Sequence, residues 1–130
     1  MLNNASILVV EDEPIIGMAL AFAIEDAGGQ VVGPVASIKS ALALLETQGV
    51  AAAIMDVNLT DGVISPVVDY LMQRGVPLIL QTGVGIPADL AARYPDLVVR
   101  IKPVVADVLV AELAALIVKG LMAEKSVPGY

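Results

Sequence analysis

The chain contains no cysteine and no histidine. Their absence excludes disulfides, cysteine–histidine zinc sites and histidine-based catalytic triads. It also means that this chain cannot itself carry phosphohistidine. Aromatic residues make up only 3% of it, with one Phe and no Trp, although 58% is hydrophobic. The core must therefore be aliphatic, built from Val, Leu, Ile and Ala. Basic residues are scarce, 7 against 14 acids, for a net charge of −7. With no basic stripe to meet a phosphate backbone, no nucleic-acid partner is expected. Long apolar runs are also missing, despite a mean hydropathy of +0.85. The longest uncharged stretch, Gly75 to Ala88, contains Gly, Pro, Gln and Thr. It falls short of the roughly 18 apolar residues that a spanning helix needs. Met1-Leu2-Asn3-Asn4 has no basic region of the kind that opens a signal peptide. A cytoplasmic location is expected, with no membrane partner.

The 130 residues fit one domain, large enough to bury about two-thirds of its unfolded surface. Apolar runs of strand length alternate with segments of helical period. Strands are predicted at Ile7 to Val10, Val31 to Val35, Ala52 to Met55, Pro77 to Gln81 and Leu97 to Ile101. The first helix opens at Pro14 and carries Ile16, Leu20, Ala23, Ile24 and Ala27 at helical spacing, stopping at Gly28-Gly29. Ser37 is the predicted cap of the second helix. Asp61-Gly62 is a turn signal, and a third helix covers Ser65 to Arg74. A short helix runs from Pro87 to Tyr94, and a last one from Pro103 to about Met122, followed by a frayed tail, Ala123 to Tyr130. Five βα units in succession imply a parallel sheet covered on both faces. The expectation is one α/β domain over residues 1–130, its core about 6–122, with no output module.

In such a sheet the carboxyl ends of all strands share one edge. Glu11-Asp12-Glu13, Asp56, Thr82 and Lys102 each sit at or just after a predicted strand end. Adjacent acids repel one another unless a cation relieves them. Glu13 suits the positive end of the following helix, which leaves Glu11 and Asp12 as the metal candidates. Asp56 either closes its strand with an Asx turn or joins Asp12 in a pocket for a hard cation such as Mg²⁺. A carboxylate there can also attack phosphorus. Thr82 either turns the chain or donates to a phosphoryl oxygen, with Gly83 leaving the approach open. Lys102 is either a solvated strand end or a point charge facing Asp56. A cis Lys102–Pro103 peptide would aim the ammonium inward.

From about Ser6 to Met122, the segments I-L-V-V-E-D-E-P, I-M-D-V-N-L, L-Q-T-G-V-G and I-K-P resemble the receiver domain of two-component response regulators. The resemblance implies a flavodoxin-like (βα)5 fold with strand order 2-1-3-4-5. It implies phosphoryl transfer to Asp56 from a histidine kinase or histidine phosphotransfer protein. Glu11, Asp12, Asp56 and the backbone carbonyl of Asn58 would hold Mg²⁺, and Thr82 and Lys102 would signal. Most receivers carry an aromatic switch residue three positions before the Lys, where this chain has Val99. R-G-V-P-L-I-L-Q-T-G-V-G is similar to the Phe-Ala-Thr-Gly-x-Gly-like segment of stand-alone receivers that also lack the aromatic. Here Leu80 and Gln81 replace the Phe and Ala. Gly83 and Gly85 suggest loop motion in place of ring motion.

The expected function is a single-domain receiver acting as a phosphorylation-gated binding module, a relay or a phosphate sink, and not an enzyme. Its fourth helix, fifth strand and fifth helix would form the reporting face. Val105, Val108, Leu121 and Met122 supply apolar surface there, partly core and partly a homodimer patch. Two alternatives stand beside it. A degenerate receiver would act as a phosphorylation-independent scaffold, which Val99 favours and the complete set of Glu11, Asp12, Asp56, Thr82 and Lys102 argues against more strongly. A small phosphatase would use Asp56 as nucleophile, but Asn58 stands where a general-acid carboxylate is wanted.

Overall fold

The computed structural model describes residues 1–126. In chain order the elements are β1 (Ser6–Val10), α1 (Pro14–Asp26), β2 (Gln30–Val35), α2 (Ile38–Thr47), β3 (Ala52–Asp56), β4 (Asn58–Leu59), β5 (Gly62–Val63), α3 (Ser65–Gln73), β6 (Leu78–Thr82), α4 (Ala88–Arg93), β7 (Val98–Ile101) and α5 (Ala106–Ser126). The five long strands form one parallel sheet in the order β2-β1-β3-β6-β7. Counting only those strands, this is the expected flavodoxin-like order 2-1-3-4-5.

Alternation along each strand divides the core between two faces. Leu8, Val10, Ala53, Met55, Leu78 and Leu80 pack with Ala41, Leu45, Val67, Val68 and Leu71 from α2 and α3. Ile7, Val9, Ile54 and Ile79 pack on the other face with Leu20 and Ile24 of α1 and Leu109 and Leu113 of α5. β1 and β3 are sequestered between these layers, which explains their unbroken apolar sequences.

Local chemistry sets the helix starts. Pro14 occupies the first turn of α1, and Ser37 accepts the Ser40 amide at 3.1 Å, as the sequence predicts. A second cap was not legible. Asp61, in the two-residue loop between β4 and β5, accepts the amides of Ile38 at 2.9 Å and Lys39 at 3.1 Å. Those two bonds hold the Asp61 carboxyl below its ordinary pKa.

Two helical expectations need correction. α5 opens at Ala106, not at Pro103. The Val105 carbonyl accepts the Leu109 amide at 3.2 Å, so Pro103 to Val105 form the turn from sheet to helix, with Val104 packed on the core. α5 also continues past Met122 to Ser126. The predicted tail therefore begins inside a helix, and its last part, 127–130, lies outside the described residues.

Gly33 lies where the β1–β2 register shifts, with φ of +99°. A Cβ there would sit 2.8 Å from Val35 N and 2.9 Å from Val9 O, so backbone closes the position to any side chain. Pro34 follows, within a strand that pairs on one side only. The Gly33–Pro34 and Lys102–Pro103 peptides are both cis.

Among the described residues no helix is long and apolar enough to cross a membrane. The outer surface nonetheless carries apolar groups. Val105, Val108, Leu121 and Met122 are all exposed, so none of them is core. On α1, Ile15, Met18 and Phe22 also face outward, one turn or so apart, while Leu20, Ala23 and Ile24 face inward.

Candidate functional site

The carboxyl edge of the sheet gathers the predicted residues. Glu11 and Asp12 leave β1, Asp56 ends β3, Thr82 ends β6 and Lys102 follows β7. One carboxylate oxygen each from Glu11, Asp12 and Asp56 lies within 4.8 Å of the others. Lys102 Nζ sits 3.1 Å from Asp56 Oδ2 and 3.2 Å from Glu11 Oε1. Lys102 is positioned through its backbone as well, since its amide donates to the Thr82 carbonyl at 2.8 Å. Asp56 Oδ1 accepts the Val57 amide at 3.0 Å.

Glu11 is the most buried of the three acids, 3% exposed. Burial pushes its carboxyl up to about 7; the Glu13 amide opposes that rise and the Asp56 charge adds to it. Burial works the other way on Lys102, but hydrogen bonds to Asp56 and Glu11 outweigh it and hold the ammonium above its ordinary value. Glu13 stands at the cap position of α1 without making a side-chain cap bond, and its Oε1 lies 3.6 Å from Lys102 Nζ instead. Asn58 opens the β4–β5 hairpin with its side chain exposed.

Thr82 is fully buried. Its Oγ1 donates to the Gly85 carbonyl at 2.9 Å and accepts the Val84 amide at 3.1 Å. The hydroxyl thus folds the loop after β6 over itself. That loop leads to α4, which Leu90 anchors in the core. Asp69 of α3 ties the far end of α4, accepting from Arg93 at 2.8 Å and from the Tyr94 hydroxyl at 2.6 Å. Val99 is half-buried against the α2–α3 layer.

Sequence reasoning missed Gln81. It is 2% exposed, and its Nε2 donates to Glu11 Oε1 at 3.0 Å. The available signal was one amide at the end of Leu78-Ile79-Leu80, beside the site threonine.

This donor set suits a hard divalent cation: three converging groups, all of them carboxylate oxygens. No family model matches the sequence, and no curated protein matches it. Solved structures do. SdrG from Sphingomonas melonis Fr1 is 37% identical over 91% of this chain and 99% of its own, with a TM-score of 0.71. The response regulator PhyR from Brucella abortus is 26% identical over 92% of this chain, with a TM-score of 0.76. This chain spans about half of PhyR's length, 50%. A CheY-like receiver domain protein from Methanospirillum hungatei JF-1, 20% identical over 92% of this chain and 98% of its own, shares the fold at a TM-score of 0.81. With its five-stranded parallel sheet, its acidic pocket and these likenesses, the chain belongs to the response regulator receiver domains.

Proposed function

We propose that this chain is a phosphorylation-gated signalling module that takes a phosphoryl group onto Asp56 from a histidine kinase or a histidine phosphotransfer protein. One observation carries the reading: an Asp56 oxygen lies within 4.8 Å of oxygens from Glu11 and Asp12, and the Lys102 ammonium contacts Asp56 at 3.1 Å and Glu11 at 3.2 Å. Glu11, Asp12, Asp56 and the Asn58 carbonyl would hold Mg²⁺, which supplies positive charge to phosphoryl oxygens. In the transfer an Asp56 oxygen–phosphorus bond forms as the donor's nitrogen–phosphorus bond breaks. The electron pair leaves with the imidazole, which takes up a proton. Lys102 neutralises Asp56 at rest and the phosphoryl group afterwards.

Thr82 supports a gating role. A hydroxyl has one hydrogen to donate, and here Gly85 receives it. Donation to a phosphoryl oxygen requires Thr82 to release Gly85 and free the loop that leads to α4. The phosphorylated state then favours a second loop arrangement, a population shift that needs no aromatic at position 99. The module would work in the cytoplasm, without turnover of a substrate. The exposed Val105, Val108, Leu121 and Met122 are the surface for a downstream protein or a second copy.

Intact mass after incubation with Mg²⁺ and a small-molecule phosphodonor tests the reading. A phosphoryl-sized gain on the wild type, absent from Asp56→Ala, is expected. Gain on neither protein, together with no Mg²⁺-dependent binding of beryllofluoride, overturns it in favour of a scaffold, the reading that Val99 favours.

A further inference from the structure

Gln81 sits where its polarity needs a reason. β6 is otherwise apolar up to Thr82, and each of its residues is buried. A buried amide is costly unless it is hydrogen-bonded. Its register partner is Asp56 of β3, yet its Nε2 reaches across the end of β3 to Glu11, at 3.0 Å. Both Glu11 oxygens are thereby held. Oε1 takes Gln81 and Lys102, and Oε2 accepts the Glu13 amide at 3.2 Å. These three contacts differ in kind. Lys102 is shared with Asp56, and the Glu13 amide is main chain close in sequence. Gln81 is a neutral side-chain donor from a separate strand whose bond in the pocket goes to Glu11 alone among the described residues.

We propose that Gln81 is a positioning residue for the cation: its amide fixes the Glu11 carboxylate beside Asp12 and Asp56 and so sets the affinity of the pocket for Mg²⁺. This rests on the receiver reading above, in which Glu11 is a metal ligand. Partners that orient a ligand from outside the coordination sphere are worth about 10- to 100-fold in metal affinity. A neutral donor is suited to the task. It orients the carboxylate without adding a second positive charge that would repel the cation, as an Arg or Lys at position 81 would.

The test is Mg²⁺ titration by calorimetry at pH 8 on wild type, Gln81→Met, Gln81→Ala and Asp12→Ala. Met fills the same space without a donor and keeps β6 packed, so a purely structural role for Gln81 predicts a wild-type Kd. The proposal predicts a Kd raised about 10-fold in both the Met and Ala variants, with metal-free circular dichroism unchanged in Gln81→Met. Wild-type affinity in Gln81→Met overturns it. A second measurement needs no variant: the Gln81 side-chain amide resonances of the wild type must move on Mg²⁺ saturation, and fixed resonances overturn the proposal as well. The Asp12→Ala arm separates the two levels. If Mg²⁺ binding survives there unchanged, or is absent from wild type, the proposed function, in which Glu11, Asp12 and Asp56 hold Mg²⁺, itself fails. If binding is lost in Asp12→Ala and intact in Gln81→Met, only the role of Gln81 fails.

Discussion

Glu11 makes the metal-free protein less stable as pH rises. Its carboxyl titrates at about 7 in the fold against 4.5 when unperturbed. Below 4.5 both states are protonated and the difference is silent; between the two values the folded state holds a proton that the unfolded chain has released. Stability is therefore greatest below 4.5 and is lost as pH rises through 7. Between pH 5.5 and 8.0 the linkage integral comes to about 2 kcal/mol, an upper value because the pocket mouth admits some solvent. The absence of histidine makes this window unusually clean, since no other side chain has an ordinary pKa within it. Urea denaturation followed by circular dichroism in EDTA, at steps from pH 5.5 to 8.0, reads the effect. Wild type should lose about 2 kcal/mol across the window while Glu11→Gln stays nearly flat. Mg²⁺ should reverse the trend for wild type alone, because the cation takes the ionised carboxylate. Parallel curves for wild type and Glu11→Gln would refute the reasoning.

Three further outcomes follow from particular contacts. Gly33→Ala should cost about 3 kcal/mol in urea melts, because its Cβ meets two main-chain atoms at under 3 Å in a left-handed conformation; a loss below 1 kcal/mol would mean that β1 and β2 can part there cheaply. Leu90→Ala should cost about 3 kcal/mol and speed amide exchange throughout α4, whose one fully buried side chain it truncates; protected α4 amides in that variant would place the anchor elsewhere. Thr82→Val keeps the shape but removes the bonds to Gly85 and Val84, and should cost about 1 kcal/mol. In that variant exchange from Gly83 to Ile86 should quicken, and bound beryllofluoride should no longer alter it. Unchanged exchange in wild type over Gly83 to Tyr94 on binding beryllofluoride would dispose of the loop-gating idea.

Much of this architecture is legible in the sequence because it rests on short-range rules. Apolar runs of four or five residues, too short for helices and separated by segments of helical period, read as buried strands. Site residues fall at the strand ends because a parallel sheet brings those ends together: Glu11, Asp12 and Asp56 lie within 4.8 Å and Lys102 reaches Asp56 at 3.1 Å, while the Thr82 hydroxyl turns to its own loop. What escaped depends on side chains that reach across the fold. The Gln81–Glu11 bond joins residues 70 apart, and the Asp61 cap on α2 joins residues 23 apart. Neither has a local signature beyond one polar residue out of pattern. The start of α5 was misplaced because Pro103 satisfies the first-turn rule, while the chain needs Pro103 to Val105 to leave the sheet edge. The sequence divides Val105, Val108, Leu121 and Met122 between core and surface, whereas all four are exposed, because helical period alone does not say which face meets the sheet.

The outermost strand β2 has a consequence for a protein so rich in aliphatic residues. An open strand offers unpaired amides and carbonyls as a template on which another chain can extend the sheet. β2 is a poor template. Pro34 contributes no N–H, Gly33 bends the path at φ +99°, and the register slip beside them breaks the even spacing that an incoming strand would have to match. The opposite border, β7, has four residues and carries Arg100, clamped to Glu112 of α5. A chain that is 58% hydrophobic thus has irregular or charged borders at both ends of its sheet, which disfavours edge-to-edge growth into fibrils.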